Sequence, residues 1–183
     1  MARLLNGFVK SRHFPTGTVI QTVNNTYNSD GSDGIVGSTF TRFIKSGAYN
    51  WKAQIDNVGA SNHVLIMSTF VGSNYRDTAG GDFEVGGGWG FFREIADGTI
   101  TAICEPSTQG FNMHTQNASS ANYLGYRSWL KQITLTWLDE SPGTGTNIYY
   151  LGGKATAAGS QNVSVSSASS HDPFRMTLQE IKR

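Results

Sequence analysis

Residues 131–154, KQITLTWLDESPGTGTNIYYLGGK, constrain the fold more than any other part of the chain. Ile133, Thr134, Leu135, Thr136 and Trp137 alternate apolar and polar without a break. The apolar three therefore share one face of an extended strand and the threonines share the other. Pro142 fixes one backbone dihedral, and Gly143 and Gly145 tolerate the unusual ones, so the chain can reverse here. A second β-rich run, Ile148, Tyr149, Tyr150 and Leu151, follows. The expected product is an antiparallel strand pair, and similar pieces recur along the chain.

Further strands are expected over 18–23, 39–44, 51–55, 63–70, 89–95, 99–104, 128–138, 148–154 and 174–181. In the run Val64, Leu65, Ile66 and Met67 the pattern implies burial on both faces. Ala96, Asp97 and Gly98 mark a hairpin, because Asp-Gly accommodates the positive dihedrals of a primed turn. Residues 28–34, 72–88, 105–123 and 155–170 are so rich in Gly, Ser, Asn or Asp that they are expected to be loops, that at 72–88 long and mobile. Sustained helical periodicity is absent. Eight to ten short strands at this spacing make an all-β fold, a single antiparallel β-sandwich of jelly-roll type with long polar loops. At 183 residues the chain suits one such domain, over 16–183, preceded by a short N-terminal arm over 1–15.

Only 15% of the residues are charged, against roughly 25% in an ordinary soluble domain, so solubility rests on hydroxyls and amides. Such surfaces suit proteins that meet other surfaces, in oligomers or at glycans. The formal charge is +1, with Lys and Arg scattered singly, which removes the electrostatic case for nucleic acid. Without a basic stripe the aromatic residues are core or interface rather than a base-stacking platform. No run approaches the ~18 consecutive apolar residues of a membrane span. Asn6, Gly7 and Lys10 interrupt any signal-peptide core, and folding in a reducing cytoplasm is expected.

Candidate chemistry is sparse. Asp139-Glu140 resembles an acid pair, but neighbours in a strand point to opposite faces, and glycosidase carboxyls must face each other across a cleft. Turn chemistry is the expectation. Asp30-Gly31-Ser32-Asp33-Gly34 lacks the terminal bidentate Glu of a calcium loop. His13, His63, His114 and His171 show no metal-ligand spacing. Cys104, the sole cysteine, is expected to be a small buried hydrophobe rather than a nucleophile. Gly86-Gly87-Gly88-Trp89-Gly90 lacks the Lys and Ser/Thr of a phosphate loop and is expected to be a flexible connection. No catalytic residue, cofactor or metal is expected.

Three segments carry a resemblance: Val19-Ile20-Gln21-Thr22-Val23, Trp137-Leu138-Asp139-Glu140-Ser141-Pro142 and Thr177-Leu178-Gln179-Glu180-Ile181. Their order and type resemble a family of bacteriophage virion proteins, in which such opening and closing strands bracket one β-sandwich. The resemblance implies a non-enzymatic virion protein, generally a homotrimer, of the tail-fibre or capsid-decoration (cement) type. With a fifteen-residue arm and no shaft before the sandwich, the cement role on the outer surface of the virion is the expectation. The arm would grip the major capsid protein, Leu4, Leu5, Phe8 and Val9 burying on it while Arg3, Lys10 and Arg12 meet acidic or backbone groups. The alternative is a tail-fibre or tail-tip head, meeting other tail proteins. There Trp89, Phe91, Tyr123, Tyr126 and Trp129 would stack on the sugars of a host glycan.

Overall fold

The computed structural model describes residues 15–27, 31–44, 51–76, 83–106, 111–117, 131–155, 161–167 and 173–183. The arm residues Arg3, Leu4, Leu5, Phe8, Val9, Lys10 and Arg12 lie outside them. Twelve strands and no helix occupy the described residues: β1 (Val19–Tyr27), β2 (Gly31–Val36), β3 (Thr41–Arg42), β4 (Lys52–Val58), β5 (His63–Arg76), β6 (Phe83–Ile95), β7 (Ile100–Cys104), β8 (Phe111–Asn117), β9 (Lys131–Asp139), β10 (Gly145–Ala155), β11 (Gln161–Ser167) and β12 (Phe174–Ile181).

They form two antiparallel sheets of six strands, packed face to face as a sandwich. Both sheets use the same device. A long strand carries two shorter ones in succession along one edge. In the first sheet β5 pairs with β12 through residues 63–69 and with β11 through 71–76, while β9 takes its other edge. β1 extends the sheet beyond β12, and β2 extends it beyond β11. In the second sheet β10 carries β4 and then β3, β6 carries β7 and then β8, and β10 and β6 pair with each other in the middle.

Alternation explains the core. In β12, Phe174, Met176 and Leu178 are fully buried, and in β9 Ile133 and Leu135 follow the same inward phase. Trp51, Trp89, Tyr149, Phe43, Phe70 and Phe91 fill the space between the sheets. Trp51 meets Phe174 edge-on at 5.4 Å, and the Trp89 indole donates to the Ser164 carbonyl at 3.1 Å. The run Val64 to Met67 is buried on one face only, because Val64 and Ile66 point inward and Leu65 and Met67 are half-buried on the outside.

Four expected loops contain strands. β2 lies in 28–34 and beyond, β5 and β6 extend into 72–88, β8 lies in 105–123, and β11 lies in 155–170. The correction at 83–88 is the largest, because the glycines there are close-packed in β6 rather than a flexible connection. Gly87 abuts Val163, and Trp89 lies over Gly72, where an added Cβ would meet its ring at 2.8 Å. Glycine serves here by having no side chain, which lets a tryptophan and a second strand come close. Conversely, only Thr41–Arg42 of the expected strand 39–44 pairs in a sheet. The hairpin between β6 and β7 forms, but its turn is not the primed one expected: Gly98 alone takes a positive φ, 84°, its amide donates to the Ile95 carbonyl at 2.9 Å, and Asp97 accepts from the Thr99 amide at 2.8 Å.

Candidate functional site

Three inward-facing series end on a polar residue at the same end of the sandwich. β12 continues Phe174, Met176, Leu178 to Glu180, which is 2% exposed. β9 continues Ile133, Leu135, Trp137 to Asp139, and β10 turns Leu151 and Tyr149 into Asn147. Gln21, Glu180, Val64 and Asp139 stand on one cross-strand row of the first sheet. That row joins the three segments on which the sequence resemblance rests.

Each buried polar group organises a turn. The Glu180 carboxylate accepts from the Gly59 amide at 2.8 Å and the Asn62 side chain at 2.6 Å through Oε1, and from Gln21 at 2.7 Å through Oε2. It thereby fixes the β4–β5 turn over 59–62. Asn147 accepts from the Gly143 amide at 2.9 Å and donates to the carbonyls of Gly143 and Gly145. Charge-assisted bonds to a buried carboxylate are worth more than neutral ones. Glu180→Gln keeps the shape but sets an amide donor against three donors, and is expected to lower stability by about 1–2 kcal/mol. Urea unfolding measures it, and an unchanged midpoint would show that the turn does not depend on the charge.

Asp139 is the hub of the second cluster. Arg93 on β6 reaches across from the opposite sheet, and its Nη1 donates to Asp139 Oδ1 at 2.9 Å, to Oδ2 at 2.7 Å and to the Ser141 carbonyl at 2.6 Å. The Tyr149 hydroxyl donates to Oδ2 at 2.9 Å, and the Ser141 amide donates to Oδ1 at 3.2 Å. Burial first, and the neighbouring carboxylate second, push the Tyr149 hydroxyl far above the ordinary phenol range, so it stays a donor. The Asp139-Glu140 pair is thus split as the alternation requires, with Asp139 inside and Glu140 in solvent. Beside this cluster a groove of about 570 Å³ is lined by Arg93, Ile103, Trp137, Leu138, Glu140 and Ser141, with Asp139 at its base.

The other candidates resolve as follows. Trp89 and Phe91 are 0% exposed, so neither can stack on a sugar, and Tyr123, Tyr126 and Trp129 lie outside the described residues. Cys104 is buried, and burial pushes its thiol up to about 11. A raised thiol stays protonated at neutral pH and is a poor nucleophile. Labelling by a thiol reagent at pH 8 is therefore expected only as fast as the chain unfolds. Rapid labelling of the native protein would contradict this burial. Residues 31–34 of the acidic loop belong to strand β2, where Asp33 accepts from the Gly34 amide. No group of three His, Cys, Asp or Glu side chains able to hold a metal occurs among the described residues.

The two outer faces differ. On the first sheet the register sets Thr22, Gln179, Leu65 and Leu138 in one row, Asn24, Thr177, Met67 and Thr136 in the next, and Thr26, Arg175, Thr69 and Thr134 in a third. Arg175 is the one charge in these twelve positions. On the second sheet Phe40 stacks on Phe92 at 4.3 Å, and Arg42 lies over the Tyr150 ring at 4.8 Å. The Tyr150 hydroxyl donates to Glu94 at 2.6 Å. The open edge of β4 is covered from β1, whose Gln21 and Asn25 amides donate to the carbonyls of Asp56 and Lys52. Capping an edge in this way removes a template for unwanted strand pairing.

No protein-family model matches the chain, and no curated protein matches it. Among solved structures the chain is similar to that of infectious bursal disease virus, Gt strain, at 12% identity and a TM-score of 0.33, covering 89% of this chain and 38% of that one. A mutant VP2 protein of the same virus, in derived T=1 particles, aligns at 12% identity and a TM-score of 0.32, covering 87% and 36%. The Gx strain of the virus aligns at 11% identity and a TM-score of 0.21, covering 88% and 40%. The chain spans about two-fifths of the length of each.

Proposed function

We propose that the chain is a non-enzymatic bacteriophage virion surface protein, a homotrimer that decorates and stabilises the capsid. The observation that carries this reading is the cross-strand row Gln21, Glu180, Val64 and Asp139. It brings the three segments that resemble phage virion sandwiches, far apart in sequence, to one end of one sheet. Their buried polar residues hold turns there, so the resemblance lies in what builds the scaffold. The reactive-looking groups have structural tasks: Asp139 ties the two sheets, Glu180 ties a turn, and Cys104 packs in the core.

Binding to a capsid would use the outer face of the first sheet together with the arm. That face carries one charge in twelve positions, so little desolvation of charge opposes its burial. Leu65, Met67 and Leu138 supply apolar area, worth roughly 25 cal/mol per Å² removed from water. Arm residues Leu4, Leu5, Phe8 and Val9 would add to it, and extended segments would add backbone hydrogen bonds at sheet edges. Virions assembled without this protein are expected to release their genome at a lower temperature, and addition of the purified protein should restore the wild-type value. An unchanged release temperature would contradict the cement role.

A further inference from the structure

We propose that the groove beside Arg93 and Asp139 is a binding site for a neutral saccharide. It is independent of the decoration role, and its residues differ from the capsid-facing surface apart from Leu138, which borders both. About 570 Å³ falls within the roughly 300–1,000 Å³ of small-molecule clefts.

The lining chemistry selects among ligand classes. Trp137 and Ile103 give an apolar surface of the kind on which the C–H face of a pyranose packs. Glu140, in solvent, offers carboxylate acceptors, and the Ser141 hydroxyl both donates and accepts. Asp139 has little to offer a ligand directly, since Arg93, Tyr149 and the Ser141 amide already use its oxygens. Arg93 spends Nη1 on Asp139 and Ser141, and its Nε–H is buried and has no partner among the described residues.

Charge decides the rest. Among the described lining residues one cation, Arg93, stands against two carboxylates, Asp139 and Glu140, a net negative charge that disfavours an anion. A basic side chain would pair with Glu140 but would also face the Arg93 guanidinium, already fixed in place by the Asp139 carboxylate and the Ser141 carbonyl. A hydroxyl-rich neutral ring meets both requirements, because each hydroxyl can accept from a donor and give to an acceptor. The site is rigid, since Asp139 and Arg93 lock β9 of one sheet to β6 of the other beneath it.

The test is saturation-transfer NMR on the whole chain, with methyl glycosides of glucose, galactose, mannose and N-acetylglucosamine as probes. Sialic acid and a lysine amide serve as the charged comparisons. At least one neutral glycoside is expected to receive saturation, strongest at its ring C–H protons, and to shift one indole N–H resonance that is missing from Trp137→Phe. Glu140→Ala, at an exposed position, should weaken that binding by roughly tenfold with no change in thermal midpoint. Three results would overturn the proposal: no transfer to any neutral glycoside, binding unaffected by both substitutions, or preference for sialic acid or the lysine amide.

Discussion

Alanine at Gly90 is expected to cost about 3 kcal/mol or more, a large share of the stability of a domain this size. Gly90 sits in β6 where β7 is bulged: Phe91 pairs with Cys104 but Phe92 pairs with Ala102, so Ile103 is the extra residue. The bulge pushes the Cys104 carbonyl over Gly90, and a Cβ there would lie 1.8 Å from that oxygen and 2.9 Å from its carbon. The obstacle is backbone rather than a side chain that can swing away, so relief requires β7 to leave β6. Gly34→Ala in β2 is the matched control. Its nearest neighbours would be 3.9 and 4.0 Å away, and its effect is expected to stay within about 0.5 kcal/mol. Urea unfolding of both variants reads the difference, and failure of Gly90→Ala alone to accumulate as soluble protein is the same result. Equal midpoints would mean that β6 and β7 do not approach as described.

Asp139→Ala is expected to be comparably costly, at about 3–5 kcal/mol. The Arg93 side chain is 16% exposed and would lose its counter-charge, while the Tyr149 hydroxyl and the Ser141 amide would lose their acceptor. The penalty comes from stranding a buried cation more than from losing attraction. The double variant Arg93→Met with Asp139→Leu removes the stranded charge and is therefore expected to be more stable than Asp139→Ala by about 1 kcal/mol or more. If the double variant is the less stable of the two, the pair contributes net attraction and this account of the inter-sheet tie is wrong. Far-ultraviolet circular dichroism during urea unfolding distinguishes the cases.

What the sequence made legible follows from how each strand is buried. β9 and β12 each lay one apolar face on the core, so alternation shows them, whereas β10, buried on both faces from Tyr149 to Gly153, is legible as a continuous β-rich run after a Pro-Gly turn. β11 escaped because its burial signal is two valines, Val163 and Val165, and the rest of its paired positions are Gln161, Asn162 and serines. It is held from both edges by β5 and β2, and by a buried Ser73–Ser164 hydroxyl pair at 2.6 Å, none of which shows in hydropathy. The first half of β6, residues 83–88, reads as loop because of its glycines, whereas Gly87 and, further along, Gly90 are positions of close approach; the half over 89–95 is legible as a strand.

The polar site was half visible. Asp139 was noticed and assigned to turn chemistry, which its bond to the Ser141 amide fits. Glu180 and Arg93 were not singled out, although a signal was present. Glu180 falls on the inward phase of Phe174, Met176 and Leu178, and a charge at such a position demands buried partners. The partners themselves, Gln21, Gly59 and Asn62, come from elements 118 to 159 residues away, for the side-chain bonds, and only the fold brings them together. The aromatic glycan platform fails at Trp89 and Phe91 because, within the strand expected over 89–95, both fall on the inward phase and are fully buried.

The most direct test of the decoration role is electron cryomicroscopy of the intact virion. The account predicts density for this sandwich in trimers at capsid three-fold positions, with the outer face of the first sheet against capsid subunits and residues 1–15 running over them. Density on the tail, or a virion without this chain, would contradict it.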